Sequence, residues 1–413
     1  MKKKSISLLI TSFFISGLFL VSFSQTADSV LLGPGSAQAC FYRLADGQKT
    51  MASYNDWNLS VSVRPSAFPS NPLPGTTIRI NEAFGTNVYI IPSQLPADFA
   101  TPLDTTGLSG WSRLHDSEIQ LNLGALNTTR NLSNPFDFGW GIYNSSTKNV
   151  VGDSLFLITG PNGLCKKLWI EQLVWDTMWV IKTCNIDGSS PYTFQISKKQ
   201  YNAKNFVYLD VRQSLLLDKE PNKTDWDLLF LKYMSPASQG ATTILYGVTG
   251  VWTNEGIQVN QISGIPSQSA QPDGLYSSSL SEIGFDWKAY NGSTMSYDIP
   301  DTLTYFVKDR QNQIFRINFT AYSGNSSGKI YFNISPYAAN AVLENNLLFI
   351  RLYPVPANDY LMAEGLSEKT ACYDLSGKQV MWLQNGENNL SALPAGMYCM
   401  PVSDGRVLRF IRR

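Results

Sequence analysis

The sequence predicts an all-β protein, in which one β-rich unit occurs twice and a small β-sandwich follows. Three observations support this prediction: the composition, a period-two alternation of apolar residues, and a phrase that occurs twice. The phrase reads WGIYNSST from Trp140 and WKAYNGST from Trp287, and five of its eight positions are identical. A repeat at this spacing indicates duplication if other segments match in the same order.

The composition bounds both the architecture and the partners. The chain has 413 residues, which is more than one typical domain. Charged residues make up 15% and the formal net charge is zero, so nothing points to nucleic acid or an anionic membrane surface as a partner. Aromatic residues reach 12%, and together with abundant Thr, Ser, Asn and Gly they favour strands and turns over helices.

The first 24 residues read as a signal peptide. MKKK provides the basic start, an apolar run follows, and SFS ending at Ser24 provides the small-x-small pattern of a cleavage site. We therefore predict a mature chain that begins near Gln25, has no transmembrane segment after signal removal, and is secreted or held on the outer cell surface.

Export permits disulfides, and the chain has five cysteines. Cys165 and Cys184 flank two strands that are expected to fold back on each other, and Cys372 and Cys399 lie on strand-like stretches near the C-terminus. Each pair could form a bridge or remain as two thiols, because connectivity cannot be deduced from sequence.

Further matches follow the repeated phrase. FLITGPNGLCKKLWIE, from Phe156, aligns without a gap onto YFVKDRQNQIFRINFT, from Tyr305, and both read as strand, turn, strand. Upstream, a D-W-x-L phrase occurs at Trp57 and again at Trp226. Because the landmarks keep their order, we predict a first repeat at residues 25–200 and a second, shorter repeat at residues 201–340, packed as two modules.

Apolar alternation gives the strand faces. TIRIN at 77–81, FRINFTA at 315–321 and KIYFNIS at 329–335 each place apolar side chains on one face and mostly polar ones on the other. A period of two predicts sheets with one buried face.

From about residue 345 the texture changes to short strands separated by NDY, SGK, NGEN and PAG turns. LYPVPANDYL, YDLSGKQV and LPAGMYCM together resemble the type A C-terminal sorting domain of the type IX secretion system. The resemblance covers residues 345–413 and implies an immunoglobulin-like sandwich. It also implies two partners, the secretion translocon and a sortase-like peptidase. Val355 and the Arg-rich tail depart from the usual pattern.

The repeats resemble a second family. NFVYLDV, DWDLLFLKY and TLTYFVKDRQNQIFRINF are similar to the HmuY family of secreted or surface β proteins, whose founding members bind haem. The resemblance implies ligand binding and makes haem or another tetrapyrrole the first cofactor to consider. In haem-binding members an axial His follows the W-D motif, but the matching residues here are Leu231 and Ser62, and His115 is the chain's one histidine.

Haem iron also accepts Met or Tyr. The candidate haem contacts are therefore Met234, just past the W-D motif, Met295, at the end of the second W-x-x-Y-N-x-S-T phrase, and Tyr233, which with Trp226 could line a flat apolar pocket. The alternative is that these residues fill gaps in a core or lie in loops. At the level of function, the alternative is a structural or adhesive surface protein that holds a protein or glycan.

No enzyme motif stands out. His115 precedes Asp116, but no G-x-S-x-G elbow, H-E-x-x-H helix or phosphate-binding loop is present. DKEPNKTDWD, at 218–227, gathers four carboxylates in a spacing that matches no calcium loop. We therefore predict a binding protein that is not an enzyme, and assign no catalytic residue and no metal ligand.

Overall fold

Antiparallel sheets make up most of the regular structure, as the sequence predicts. The computed structural model describes residues 25–66, 73–92, 94–239, 242–337, 350–366, 368–402 and 407–413, so the predicted signal peptide lies outside the described residues. The chain divides into two compact units, residues 1–337 and 338–413. None of the helices in the described part has the length and apolar character needed to span a bilayer.

The first unit contains 23 described strands. In chain order they are β1 (Thr26–Leu31), β2 (Gln38–Tyr42), β3 (Lys49–Ser53), β4 (Leu59–Ser62), β5 (Ile78–Ile80), β6 (Asn87–Ile90), β7 (Arg113–Leu114), β8 (Gly141–Asn144), β9 (Asn149–Gly152), β10 (Phe156–Gly160), β11 (Leu164–Val174), β12 (Met178–Asn185), β13 (Tyr192–Ser197), β14 (Phe206–Asp210), β15 (Leu215–Leu217), β16 (Leu228–Gln239), β17 (Thr242–Thr253), β18 (Gln258–Ser263), β19 (Ala289–Asn291), β20 (Ser296–Asp298), β21 (Leu303–Lys308), β22 (Ile314–Tyr322) and β23 (Lys329–Pro336).

Helical segments are short. The described residues contain one α-helical turn, α1 (Leu73–Thr76), and 3-10 turns at Pro34–Ser36, Glu82–Phe84, Pro96–Asp98, Leu108–Gly110, Ala125–Asn127 and Lys198–Tyr201. Their lengths suit connections between strands and leave the sheets to form the core.

The two larger sheets share one strand order. One runs β13-β12-β11-β10-β6, with β7 beside β6 and the β8–β9 hairpin joined to β11. The other runs β1-β23-β22-β21-β18. Phe156 lies opposite Leu168 in the first, and Tyr305 lies opposite Ile317 in the second. These are the hairpins that the gapless alignment predicts, and the equal register confirms the alignment for this segment.

An irregularity in the ladders repeats as well. The β11–β12 register shifts between Ile170 and Gln172, and the β22–β23 register shifts between Phe319 and Ala321. A β-bulge adds one residue to one strand and increases the local twist. Both large sheets therefore bend at the same aligned position.

Two smaller sheets are also equivalent. One runs β15-β14-β4-β5 and the other β3-β2-β16-β17. In the first, Leu209 pairs with Leu59, which follows Trp57. In the second, Tyr42 pairs with Leu228, which follows Trp226. The two D-W-x-L phrases thus start equivalent strands in equivalent sheets.

Strands are exchanged between the two halves of the chain. The strands β1 to β3, from the N-terminus, complete the sheets built by β16 to β23. In return, β13 to β15 complete the sheets built by β4 to β12. The sequence predicts two modules with a boundary at residue 200, and this division of the sequence stays a prediction. It does not coincide with a boundary between sheets, because β13 and β14 lie on either side of residue 200 and join the same half.

Five apolar clusters lie in the described part of the first unit, and three of them are large. One is built from residues between Leu59 and Val211, and a second combines residues 30–44 with residues between Leu228 and Ile334. A third draws on both halves and contains Phe41, Trp57, Tyr208 and Trp226. Burying one large apolar side chain stabilises the fold by roughly 1.5–3 kcal/mol, so these clusters account for the cohesion of the sheets.

The predicted strand faces are confirmed. Phe315, Ile317 and Phe319 of β22 and the apolar residues of β23 enter the second cluster. Ile78 and Ile80 of β5 enter the first cluster. Their neighbour Arg79, which alternation places on the opposite face, is also buried because that face meets the third cluster.

The cysteines are all free thiols. The predicted fold-back between Cys165 and Cys184 is confirmed as the β11–β12 hairpin, but Cys184 lies opposite Lys167, two residues from Cys165. In the C-terminal unit Cys399 lies opposite Tyr373, the neighbour of Cys372. Neither candidate pair therefore faces itself directly across a ladder.

The C-terminal unit is a small β-sandwich. Its strands are β24 (Arg351–Tyr353), β25 (Tyr360–Glu364), β26 (Thr370–Asp374), β27 (Gln379–Leu383), β28 (Gly386–Asn389), β29 (Gly396–Pro401) and β30 (Val407–Arg412). They form the sheets β24-β25-β28 and β27-β26-β29-β30, which share one apolar cluster. This agrees with the predicted all-β class and with a sandwich at the C-terminus.

Candidate functional site

The two D-W-x-L phrases place their tryptophans, Trp57 and Trp226, in the third apolar cluster. Trp57 meets the ring of Tyr208 edge-on at 5.0 Å, and Trp226 meets Phe41 edge-on at 5.1 Å. The residue after each tryptophan binds the backbone just past a strand that the other sequence repeat contributes. Asn58 accepts a bond from the Val211 backbone at 2.9 Å, and Asp227 accepts one from Leu44 at 2.8 Å.

Two buried asparagines hold the phrases in place. The Asn81 side-chain amide donates to the backbone carbonyls of Tyr54 and Trp57, at 2.8 and 3.1 Å. The Asn254 amide donates to those of Lys223 and Trp226, both at 2.8 Å. Buried polar groups of this kind specify one backbone arrangement, because leaving either partner unpaired is costly.

A cavity of about 60 Å³ lies where the two phrases meet. We call it the tryptophan cavity and define it by its aromatic and polar lining, which includes Trp57, Tyr208, Trp226, Tyr233, Trp252, Arg79, Glu82, Asp116, Asn205 and Glu220. It draws on residues from both halves of the chain.

Two buried carboxyl groups in this lining have pKa values raised well above their usual range. Burial raises the pKa of Asp116 to about 7, although Arg79 and backbone donors oppose the shift. Burial also raises the pKa of Glu220 to about 7, against two backbone N–H donors, Asn205 and Phe206. Arg79 is already occupied, since it donates to the carbonyls of Ser117, Gln120 and Leu121.

A wider, open cleft adjoins the tryptophan cavity. Its volume is about 840 Å³, within the usual range for small-molecule sites. We call it the tyrosine cleft, because it is lined by Tyr246, Tyr290, Tyr297 and Tyr322 together with Lys232, Met234, Gly247, Phe285 and Lys288, among others. Glu82, Ala83, Lys232 and Met234 line both spaces.

The aromatic groups of the cleft are partly open to solvent. Tyr246 is 60% exposed and Tyr290 is 61% exposed, whereas Tyr322 is buried. Tyr297 joins them, meeting Tyr290 edge-on at 5.4 Å and Tyr322 at 4.8 Å. A row of ring faces and edges with graded exposure can hold a flat apolar ligand.

Lys288 is the most perturbed cation of the cleft. Its Nζ donates to the carbonyls of Thr249, at 2.5 Å, and Phe285, at 3.1 Å, and lies 4.1 Å from the centre of the Trp287 ring. Burial lowers the pKa of Lys288 to about 7, with Asp286 opposing the shift. At neutral pH this amine is therefore only partly protonated, and its protonated form can pair with a carboxylate on a ligand.

The three sequence-predicted contacts occupy different surroundings. Tyr233 is 3% exposed and lines the tryptophan cavity, where burial raises the pKa of its hydroxyl. Met234, the next residue of β16, lines both spaces. Met295 is 82% exposed at the β19–β20 turn with φ of 53°, and it is not among the residues that line either space.

The residues at the axial-histidine positions are both buried. Leu231 lines the tryptophan cavity and belongs to the third apolar cluster. Ser62 is enclosed on β4, and its hydroxyl donates to the carbonyl of Pro74.

The other weighed motifs form separate contacts. His115 Nδ1 lies 2.6 Å from Glu82 Oε1. Among the carboxylates of 218–227, Asp218 pairs with Lys204, Glu220 binds backbone N–H groups, and Asp227 pairs with Arg310 at 3.1 Å. Within the described residues, no group of three or more His, Cys, Asp or Glu side chains is placed to hold a metal ion.

Sequence reasoning missed Lys288 and most of the tyrosines of the cleft. A signal was available inside the repeated phrase itself. At the position after the tryptophan the first copy has Gly141 and the second has Lys288, so the two copies differ where an otherwise shared phrase carries a charge.

No protein-family model matches this chain, and no curated protein matches it. Two solved structures show a weak likeness. One is a putative HmuY-like heme-binding protein from Bacteroides vulgatus, at 15% identity and a TM-score of 0.21, covering 32% of this chain and 85% of that one. The other is a putative lipoprotein from Bacteroides fragilis, at 14% identity and a TM-score of 0.19, covering 32% of this chain and 83% of that one. At these TM-scores neither likeness carries an argument about this chain.

Proposed function

We propose that this chain is a secreted or cell-surface protein that acts by binding a ligand, and that it is not an enzyme. The ligand lies in the tyrosine cleft and is flat, largely apolar and anionic, with haem or another tetrapyrrole as the leading candidate. The observation that carries the proposal is the joint presence of partly exposed tyrosine rings and two lysines in one cleft of about 840 Å³.

The chemistry of the cleft fits a tetrapyrrole. Ring faces of Tyr246, Tyr290 and Tyr297 can stack on a flat macrocycle, and Lys232 and Lys288 can pair with its carboxylates. Met234 and the tyrosine hydroxyls offer two of the ligand types that haem iron accepts in place of histidine. Tyr233 and Met295 stay proposed contacts of lower rank, because one faces the tryptophan cavity and the other lies on an exposed turn.

A haemin titration of residues 25–413, followed at the Soret band, tests the proposal. We expect a saturable spectral shift that Tyr290→Ala and Lys288→Met each weaken about tenfold, which corresponds to roughly 1.4 kcal/mol. Met234→Ala changes the shape of the band if its sulfur is the iron ligand, and Met295→Ala is measured beside it.

Tyr192→Ala is the matched control, because Tyr192 is another exposed strand tyrosine and does not line the cleft. Absence of a Soret shift removes haem as the ligand. A shift that Tyr290→Ala, Lys288→Met and Met234→Ala all leave unchanged removes the cleft as its site.

An adhesive function is the second candidate, and one feature favours it. In the described sheet β3-β2-β16-β17 the long strand β17 lies at the edge, and its Ile244, Leu245 and Tyr246 are exposed. An extended peptide can add a strand to such an edge. Retention on immobilised collagen or mucin that Leu245→Lys abolishes, with haemin binding absent, would support this function over the first.

The C-terminal unit is proposed to act as the export tag. Its sandwich of seven described strands and its LYPVPANDYL, YDLSGKQV and LPAGMYCM phrases support recognition by a type IX translocon and a sortase-like peptidase. Export of a chain that ends before residue 345, at the level of the full chain, would contradict this role.

A further inference from the structure

We propose that the tryptophan cavity is a second binding site, for a small neutral molecule that carries a hydrogen-bond acceptor such as a carbonyl or amide oxygen. This site is distinct from the tyrosine cleft, and its evidence does not depend on haem binding.

The lining of the tryptophan cavity contains a set of unpaired polar atoms. The indole N–H groups of Trp57, Trp226 and Trp252 and the hydroxyl of Tyr233 are buried and have no hydrogen-bond partner in the described part of the chain. The Asn205 side-chain oxygen is in the same condition. All five residues line the tryptophan cavity. Buried polar groups are almost always paired, so five unpaired groups around one space favour an occupant that pairs with them.

The balance of donors and acceptors among these unpaired atoms indicates the type of ligand. An indole N–H can only donate, and a phenol hydroxyl can donate. The unpaired set therefore offers up to four donors, and the Asn205 oxygen is its one group that can only accept. Water would satisfy part of this set, but a molecule with a strong acceptor oxygen satisfies more of it.

The ionisable groups that line the cavity bear on the charge of the ligand. The carboxyl groups of Glu82, Asp116, Glu118 and Glu220 line the cavity, against the cations Arg79 and Lys232. Arg79 is already bonded to three backbone carbonyls and lies beside Asp116 at 3.6 Å. An anion would therefore meet an excess of carboxyl groups, which favours a neutral molecule.

The volume of the tryptophan cavity limits the size of the ligand. A cavity of about 60 Å³ by this measure has room for roughly four water molecules. A molecule of a few non-hydrogen atoms fits this space, whereas a macrocycle does not. A tetrapyrrole ring therefore does not fit inside the tryptophan cavity.

Residues that line the cavity come from matching positions in the two sequence repeats. Trp57 and Trp226 stand at matching positions of the two D-W-x-L phrases. In the ladders that follow, Arg79 pairs with Ser60 and Trp252 pairs with Leu229, so these two residues also occupy matching positions. The Arg79 guanidinium lies 5.0 Å from the centre of the Trp252 ring. The site therefore exists only where the two copies meet and differ.

Nuclear magnetic resonance of residues 25–413, labelled with ¹⁵N at tryptophan, tests the proposal with acetamide as the probe. Single Trp→Phe variants assign the indole signals. We expect the signals of Trp57, Trp226 and Trp252 to shift together and saturably, with one dissociation constant. Trp140 and Trp179 are internal controls, because their N–H groups already donate to Thr76 and Ser62 at 3.0 and 2.8 Å.

Tyr233→Phe removes one donor without changing the ring, and we expect it to weaken acetamide binding at least threefold. Tyr305→Phe is the matched control, since its buried hydroxyl donates to the Ile283 carbonyl instead. Acetate serves as the anionic comparison and should bind more weakly than acetamide at pH 8.

Three outcomes would overturn the inference: no movement of the three indole signals, an unsaturable drift of every tryptophan signal including Trp140 and Trp179, or tighter binding of acetate than of acetamide. Because haemin is absent from this experiment, its result is independent of the proposed function of the tyrosine cleft.

Discussion

Glu220, which lines the tryptophan cavity, links this cavity to the stability of the fold. The carboxyl is buried, and burial raises its pKa from 4.5 to about 7 even though Asn205 and Phe206 donate backbone N–H bonds to it. Above pH 4.5 the unfolded chain releases this proton before the folded chain does. The free energy of unfolding therefore falls as the pH rises from 4.5 to 7, and the cost is complete above pH 7.

We predict that Glu220→Gln flattens this part of the pH profile. The amide cannot ionise, so the variant should gain about 3 kcal/mol relative to the parent chain between pH 4 and pH 8, by the usual conversion of a pKa shift to free energy. Any loss from the weaker backbone bonds is independent of pH and does not affect the difference. Urea unfolding at several pH values measures both slopes.

Asp225→Asn is the control, because Asp225 is an exposed carboxylate of the same connection. We expect it to leave the slope unchanged. Equal slopes for the Glu220→Gln variant and the parent chain would show that Glu220 ionises normally in the folded state.

The candidate residues illustrate what sequence can find at this scale. The D-W-x-L phrase leads directly to Trp226, Tyr233 and Met234, all of which line the tryptophan cavity. Met295 follows the second W-x-x-Y-N-x-S-T phrase, but that phrase encodes a turn. Lys148 holds the matching place in the first copy, and both residues have positive φ, 61° and 53°. The repeated phrase therefore explains the position of Met295 without any ligand.

At the level of elements, the repeated phrase encodes a tryptophan anchor followed by a tight hairpin. Trp140 and Trp287 are both buried. Asn144 accepts backbone N–H bonds from Ser146 and Thr147, and Asn291 accepts the same pair of bonds from Ser293 and Thr294. Such Asx turns depend on residues two and three positions apart, so local sequence is sufficient to predict them.

A pair of glycines provides the prediction for these elements. Gly163 ends the β10–β11 turn with φ of +75°, whereas Gly292 has no such φ, and a Cβ at either site would meet nothing within 4 Å. We expect Gly163→Ala to lower the free energy of unfolding by about 1 kcal/mol, because only its backbone conformation resists a side chain.

Gly292→Ala should be neutral, since Ser145 already carries a Cβ at the matching position of the first copy. Urea denaturation of both variants measures the difference. Equal losses for the two variants would mean that φ at Gly163 does not control the stability of this hairpin.

For the whole molecule, sequence predicts the β class and the duplication but not the exchange of strands. Apolar alternation and turn residues act over neighbouring positions, and they identify β10, β11, β21, β22 and β23. Which strand lies at the far edge of each sheet depends on pairing between distant segments, such as Val30 with Ile330. β1 and β13 occupy matching edges of the two large sheets. From the sequence alone, either strand is therefore an equally good partner for either sheet.

The exchange leads to a prediction about fragments. All residues of the first apolar cluster lie between Leu59 and Val211, and the strands β4 to β15 that enclose it are continuous in the chain. Residues 54–218 should therefore fold alone. Residues 25–200, which correspond to the repeat as the sequence defines it, lose β14 with Val207, Leu209 and the nearby Val211 from that cluster.

Losing three buried side chains removes on the order of 5–9 kcal/mol, comparable to the whole stability of a typical domain. The same fragment retains β1 without its partner β23, and the β2–β3 hairpin without β16, which pairs with β2. We expect dispersed amide resonances and cooperative urea unfolding for residues 54–218, and neither for residues 25–200. A folded 25–200 fragment beside an unfolded 54–218 fragment would mean that the sheets close within each sequence repeat and that the strands are not exchanged.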